Sequence, residues 1–182
     1  FSEAVIVFAD DSHVALAYLE SFIHEAWVLE RASFLGETLR YTPTDCFETF
    51  ALPKQWKANR PVEELGRKYS ELREQVFEQR QEGLTRTYNR FHDRGETSAD
   101  ITRLRALHVE LDQAVAAAYG WHDLDLGHDF HPTKQGERYT LSEYARSTVL
   151  DRLLVLNHER NDEEVKAGLH DKKKLGKAGK KR

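Results

Sequence analysis

"DDSHVALAYLESFIHEAWVLERAS", residues 10–33, is the stretch whose reading decides how this chain folds. Asp10, Asp11 and Ser12 place side-chain oxygens and negative charge where a helix start leaves amides unsatisfied and its dipole favours an anion. Val14, Tyr18, Phe22 and Leu29 then recur at helical spacing, with Ala15, Leu19 and Ala26 beside them, so one wide face is apolar. The spacing predicts one long buried helix, stopped by Gly36. Just before it, Val5 to Phe8 is apolar on both faces, which predicts a buried strand. The chain opens on Phe1 and holds no methionine. A buried strand also needs neighbours that few other segments could supply. The expectation is therefore a piece of a longer polypeptide, with the rest of that sheet contributed from upstream.

Beyond the helix lies "RYTPTDCFETFALP", residues 40–53. Glu37–Tyr41 and Cys46–Phe50 are short and rich in Thr, Tyr and Phe, which predicts two strands joined by a turn that Pro43 initiates. Pro61, followed by Glu63 and Glu64, opens a second helix, with Val62, Leu65, Tyr69, Leu72 and Val76 as its apolar stripe. A third runs from about Ala99 to Tyr119, with Ile101, Leu104, Leu107, Leu111 and Val115 on one side and Thr97 and Asp100 at its start. A fourth runs from about Ser142 to Ala167, with Thr140 and Glu143 at capping-box spacing and Gly168 at its end. "GLTRTYNRFHDRGETS" and "GWHDLDLGHDFHPTKQGERYT" read as interruptions, the second a long loop. The fold class predicted is mainly α. A small α/β remnant (strand, helix, hairpin) occupies residues 1–53, a bundle of about three helices residues 54–170, and a disordered basic tail residues 171–182.

Composition narrows the function classes. The 182 residues are 40% hydrophobic, enough for a sizeable core. No apolar run nears the roughly 20 residues that span a bilayer, and the start carries no signal-peptide pattern. A lone cysteine fits a reducing cytoplasm. The last twelve residues carry seven basic side chains and one acid, leaving 20 basic and 30 acidic residues before them. So acidic a body is not a general nucleic-acid surface, because phosphate repels it. The tail either adds non-specific affinity for nucleic acid or serves as a solvated end.

Two places carry possible chemistry. In "HDLDLGHDFH", His122, Asp123, Asp125, His128, Asp129 and His131 could supply ligands to a transition metal. Their spacing matches no metal motif, and the competing reading is a surface loop with Trp121, Leu126 and Phe130 tucked against the bundle. Cys46 stands among acids, which raise a thiol's pKa, so it is expected as a core residue and not a nucleophile. The second place is the turn region. There Glu37, Thr38, Arg40, Thr42, Thr44 and Asp45 are polar groups between aromatics, the residue types that base-edge readout needs. Against that stands an ordinary turn whose aromatics seal two substructures together.

"LRYTPTDCFETFALP", "YNRFHD", "DITRLRALHVELDQAVAAAYGW", "LDLGHDFHPTKQGERYTLSE" and "VLDRLLVLNHER", in that order, resemble the C-terminal part of type IIG-like (MmeI-like) restriction–modification polypeptides. These bacterial defence enzymes carry an adenine-specific DNA methyltransferase domain. The resemblance covers about residues 12–170. It implies that residues 1–53 end a DNA target-recognition domain and that 54–170 are the C-terminal helical segment. It further implies that Gly36 and Thr38 occupy base-reading slots with Glu37 and Arg40 adjacent. The expected DNA-binding residues are thus Glu37, Thr38, Arg40 and Thr42. The S-adenosylmethionine loop, the catalytic motif and any nuclease motif are absent from this stretch, so no catalysis and no cofactor are expected here. S-adenosylmethionine would belong to the parent. The expected partners are double-stranded DNA, reached through the parent protein, and an upstream methyltransferase domain. Membranes are not among them, and the expected location is cytoplasmic. The alternatives are a helical protein–protein interaction module and, further off, a metal-dependent enzyme built on the His/Asp loop.

Overall fold

In the computed structural model, which describes residues 6–35 and 38–169 (the backbone alone for residues 34, 35 and 38), residues 10–33 form two helices, not one. α1 (His13–Glu20) and α2 (Phe22–Arg31) meet at Ser21, whose backbone is extended at φ −64° and ψ 146°. Ser21 caps both: its Oγ donates to the Tyr18 carbonyl at 2.8 Å and accepts from the His24 amide at 3.2 Å. The Phe22 amide, freed from the helical ladder, donates to Asp112 Oδ1 at 2.9 Å. A mid-helix serine competes for backbone groups, but the break holds because a carboxylate from a distant helix takes the orphaned amide. At the start of α1, Ser12 is the cap, accepting from Ala15, and Asp10 in turn accepts from Ser12.

α2 ends at Ala32 and leads into the antiparallel hairpin of β1 (Ser33–Leu35) and β2 (Thr38–Arg40), paired Ser33 to Arg40 and Leu35 to Thr38. The partner of the predicted 37–41 strand is therefore the segment before Gly36, not Cys46–Phe50. Pro43, at the first position of a helical turn, instead winds α3 (Pro43–Cys46), with Cys46 N bonded to Thr42 O at 2.8 Å and Phe47 N to Pro43 O at 2.9 Å. Of the strand expected over Val5–Phe8, residues 6–8 have no regular structure and Val7 is 85% exposed. Residue 5 and the basic tail lie outside the described residues.

The long helices follow their stripes. α4 (Arg60–Arg80) is capped by Asn59 and buries Val62, Tyr69, Leu72 and Val76. α5 (Leu84–Phe91) occupies the segment that reads as an interruption. α6 (Ala99–Ala118) buries Ile101, Leu104, Leu111 and Val115, starts at Ser98 without a side-chain cap, and sends Asp100 to Arg80 instead. The long loop contains a second hairpin, β3 (Asp129–Thr133) with β4 (Gly136–Thr140). α7 (Glu143–Lys166) begins at Ser142, whose side chain accepts from Ala145; Thr140, the expected cap, belongs to β4.

α4 packs on α1 and α6, and α7 packs on α2. The α1–α4 contact requires Gly66, where a Cβ would lie 2.2 Å from the His13 carbonyl oxygen. Tyr18, Trp27 and Phe50 share one apolar core with Tyr69, Leu111 and Leu153, so helices from both sides of Pro53 pack together. Among the described residues, no helix is long and apolar enough to cross a membrane.

Candidate nucleic-acid interface

The first hairpin leaves α2 at Arg31 and returns to it at Tyr41. Arg40, the last residue of β2, is exposed, as is its cross-strand partner Ser33. Arg31 is exposed too and stacks its guanidinium 4.5 Å above the Trp27 ring. Thr42 is half-buried and precedes α3 without a side-chain capping bond. Thr38 begins β2, opposite Leu35. Glu37 and Gly36 lie outside the described residues. Two expected reading residues, Arg40 and Thr42, therefore stand at the end of one short hairpin.

Residues 41–50 fasten that hairpin to the helices. Tyr41 hydrogen-bonds His24 Nε2 of α2 through its hydroxyl at 3.2 Å. Phe50 stacks edge-on against the same imidazole at 4.5 Å, and Phe47 meets Phe8 at 4.8 Å. Trp27 Nε1 donates to Thr49 Oγ1 at 3.1 Å, and Asn157 of α7 donates to the Thr49 carbonyl at 2.7 Å. Cys46 is fully buried. Burial sets the electrostatics: it lowers the His24 imidazole to about 4, and raises the Tyr41 hydroxyl to about 12 with a further push from Cys46. At neutral pH the anchor is thus a neutral pair. The aromatics bind inward while Arg40 points to solvent, so the stretch 40–53 is a clasp with one exposed cation at its edge.

The His/Asp loop spends its groups separately. Asp123 pairs with Arg152, Asp125 accepts from the Gly127 amide, and Asp129 from the Phe130 amide. His131 bonds the Gly127 carbonyl at 2.8 Å, while His128 turns inward and gives Nε2 to Asp112 Oδ2, also at 2.8 Å. His122 is exposed. Among the described residues, no group of three or more His, Cys, Asp or Glu is placed to hold a metal ion. Trp121 and Leu126 are buried, and Phe130 lies half-buried beneath Arg94 and Arg105.

Asp112 is not among the residues that the sequence singles out. It is fully buried and accepts from both Phe22 N and His128 Nε2. His108 Nε2 faces it at 3.7 Å, beyond hydrogen-bond reach, while His108 Nδ1 meets the Tyr69 hydroxyl at 3.0 Å and Tyr69 meets Tyr88 at 2.8 Å. Burial lowers the His108 imidazole against the opposing pull of Asp112. A polar seam thus crosses the core from α5 to the second hairpin. Its one trace in the sequence is an imidazole and a carboxylate four residues apart on the stripe of Leu104, Leu111 and Val115.

The chain matches no family model, no curated protein and no solved structure.

Proposed function

We propose that this chain is a DNA-recognition and structural C-terminal portion of a bacterial adenine-N6 DNA methyltransferase or restriction–modification polypeptide, and that it does no chemistry itself. The reading rests on the resemblance of residues 12–170 to the C-terminal part of such polypeptides. One structural observation supports it most directly: Arg40 is exposed on a hairpin that the very next residue, Tyr41, ties to the core. A guanidinium held on a fixed strand suits the N7 and O6 edge of guanine, and its ordering has largely been met by folding. Thr42 adjoins it, and Thr38 and Glu37 complete the proposed reading set. In this proposal S-adenosylmethionine and the target adenine are held by an upstream methyltransferase domain. The working partners are that domain and double-stranded DNA in the cytoplasm.

The test is base preference in the parent enzyme. Arg40→Ala and Thr42→Ala should relax or change the preferred base at one position, by the roughly 1–3 kcal/mol that a direct contact carries. Equal weakening on every sequence, with the preference intact, refutes base reading.

A second reading, a helical interaction module, is favoured by α7, which leaves Tyr144, Val155 and Val165 at 75%, 57% and 55% exposed. On that reading Tyr144→Lys with Val155→Lys would disrupt assembly and leave base preference unchanged.

A further inference from the structure

A pocket of about 150 Å³ opens where α1 and the residue before its cap meet the 3₁₀ turn Trp56–Ala58. Among the described residues, four rings line it. Phe8 and Phe47 meet edge-on at 4.8 Å, and Tyr18 and Trp56 edge-on at 5.8 Å. An apolar cavity of this size admits a group as large as benzene. Trp56 rests on the fully buried Tyr18 ring, and Gln55 before it, at φ +57°, takes a left-handed backbone uncommon outside glycine. Aliphatic side chains fill the rest of the wall, except for two charged groups. Asp10 Oδ2 lies 3.2 Å from Lys57 Nζ, and that ammonium stands 5.2 Å from the centre of the Trp56 ring. Ser12 uses the other oxygen, Oδ1, for both its amide and its hydroxyl. Those bonds, and after them Lys57, hold the Asp10 carboxyl below its ordinary range, so Oδ2 carries a standing negative charge. One cation is therefore already seated between a carboxylate and an indole. It is loosely held, because the Lys57 side chain is 71% exposed and a primary ammonium keeps its water.

We propose that this pocket binds a quaternary ammonium group of the choline type, and that Lys57 is the tethered cation which that group displaces from Asp10 and Trp56. A quaternary ammonium has no N–H to satisfy and an apolar methyl surface, so aromatic and aliphatic walls suit it where they exclude a hydrated primary amine. Its charge is met by Asp10 Oδ2 and by the ring faces, the two partners that Lys57 now uses. The pocket involves neither Arg40 nor Thr42, so its failure would leave base reading standing, and the reverse.

The probe is choline chloride, against sodium chloride at the same concentration, added to the whole 182-residue chain. Low millimolar choline should shift the indole N–H resonance of Trp56 and leave those of Trp27, which donates to Thr49, and Trp121 in place. The uncharged carbon analogue of choline, with a tert-butyl group in place of trimethylammonium, should bind at least about tenfold more weakly. Lys57→Gln removes the competitor and should tighten choline roughly 3- to 10-fold. Asp10→Asn keeps an oxygen for Ser12 and should weaken choline by a similar factor. Equal binding of the uncharged analogue, or a Trp56 signal unmoved by choline, overturns the cation site. Unchanged or weaker binding in Lys57→Gln overturns the displacement. Vesicles of phosphatidylcholine then separate the sources: co-sedimentation of the chain assigns a lipid headgroup, and choline binding without co-sedimentation a free compound.

Discussion

The two hairpins have the same topology and opposite fates. β3–β4 pairs five residues a side and is held by cations from two other segments and by the core at its foot. Arg105 lies 5.0 Å over Phe130 and 5.6 Å over Tyr139, Arg94 pairs with Glu137, and His128 at its foot is bonded to Asp112. Its turn is closed by Thr133 Oγ1 donating to Gly136 O, with Gly136 at φ +96°, a left-handed backbone that suits glycine. β1–β2 pairs only three residues a side and is tied down through Tyr41 and His24. An isolated two-stranded ribbon is marginal in water. One hairpin therefore rests against the core through Tyr139 and Thr140, and the other is a short ribbon whose hold on the helices comes through residues 41–50.

Substitutions should separate the two. The largest expected effect is from Asp112→Ala, which strands the Phe22 amide and the His128 imidazole at once. Chemical denaturation should show a loss of about 3–5 kcal/mol, with both hairpin regions affected. Arg105→Ala should cost about 2–3 kcal/mol, because its guanidinium donates to the carbonyls of Arg90, Phe91, Asp93 and Glu96. Hydrogen exchange should quicken across β3–β4 while β1–β2 is spared. Tyr41→Phe should cost about 1 kcal/mol and quicken exchange in β1–β2 alone. Arg40→Ala should change stability by less than about 0.5 kcal/mol. A larger loss would mean that Arg40 serves the fold, contrary to the display role.

Protons should pull His24 and Glu25, neighbours on α2, in opposite directions. His24 holds a folded value of about 4 against an ordinary 6.5, so the unfolded chain takes up the proton first. Its contribution is complete above pH 6.5 and is lost as the pH falls towards 4; burial gives His92 the same sign. Glu25 behaves in reverse: folded at about 7 against 4.5, it favours the native state at low pH and loses that contribution as the pH rises through 7. Glu25→Gln should therefore raise the midpoint of denaturation near pH 8 and leave it little changed near pH 4.5. A variant that is less stable at both values would rule out the buried, protonated acid.

Long, repeated apolar stripes make α4 and α6 legible, because core burial selects the same residues that periodicity marks, and α7 is legible from the capping signals at its ends. Elements shorter than the period needed to recognise them are not. α5 has eight residues and buries only Thr87 and Phe91. β3 and β4 carry Arg, His and Glu on faces that pack under cations, so their alternation does not look like hydrophobic alternation. Pro43 marks a turn, yet whether it opens a hairpin or a helical turn depends on the carbonyls that receive the Cys46 and Phe47 amides. Of the proposed reading set, Arg40 is legible by residue type, whereas His24, which bonds the next residue, is indistinguishable from any other polar residue on an apolar helix. Asp112 was hidden for a related reason: its partners are set by tertiary placement, not by neighbours along the chain.

The break at Ser21 carries a consequence for the order of assembly. Ser21 caps both helices locally, but the bond that takes the orphaned Phe22 amide joins residues 90 positions apart and can form only once α6 is in place. Closing that long-range contact costs loop-closure entropy, so the break is expected to gain its full stability late in assembly. Refolding of an Asp112→Asn variant should then be little slowed while its unfolding is hastened, the kinetic mark of a contact formed after the barrier.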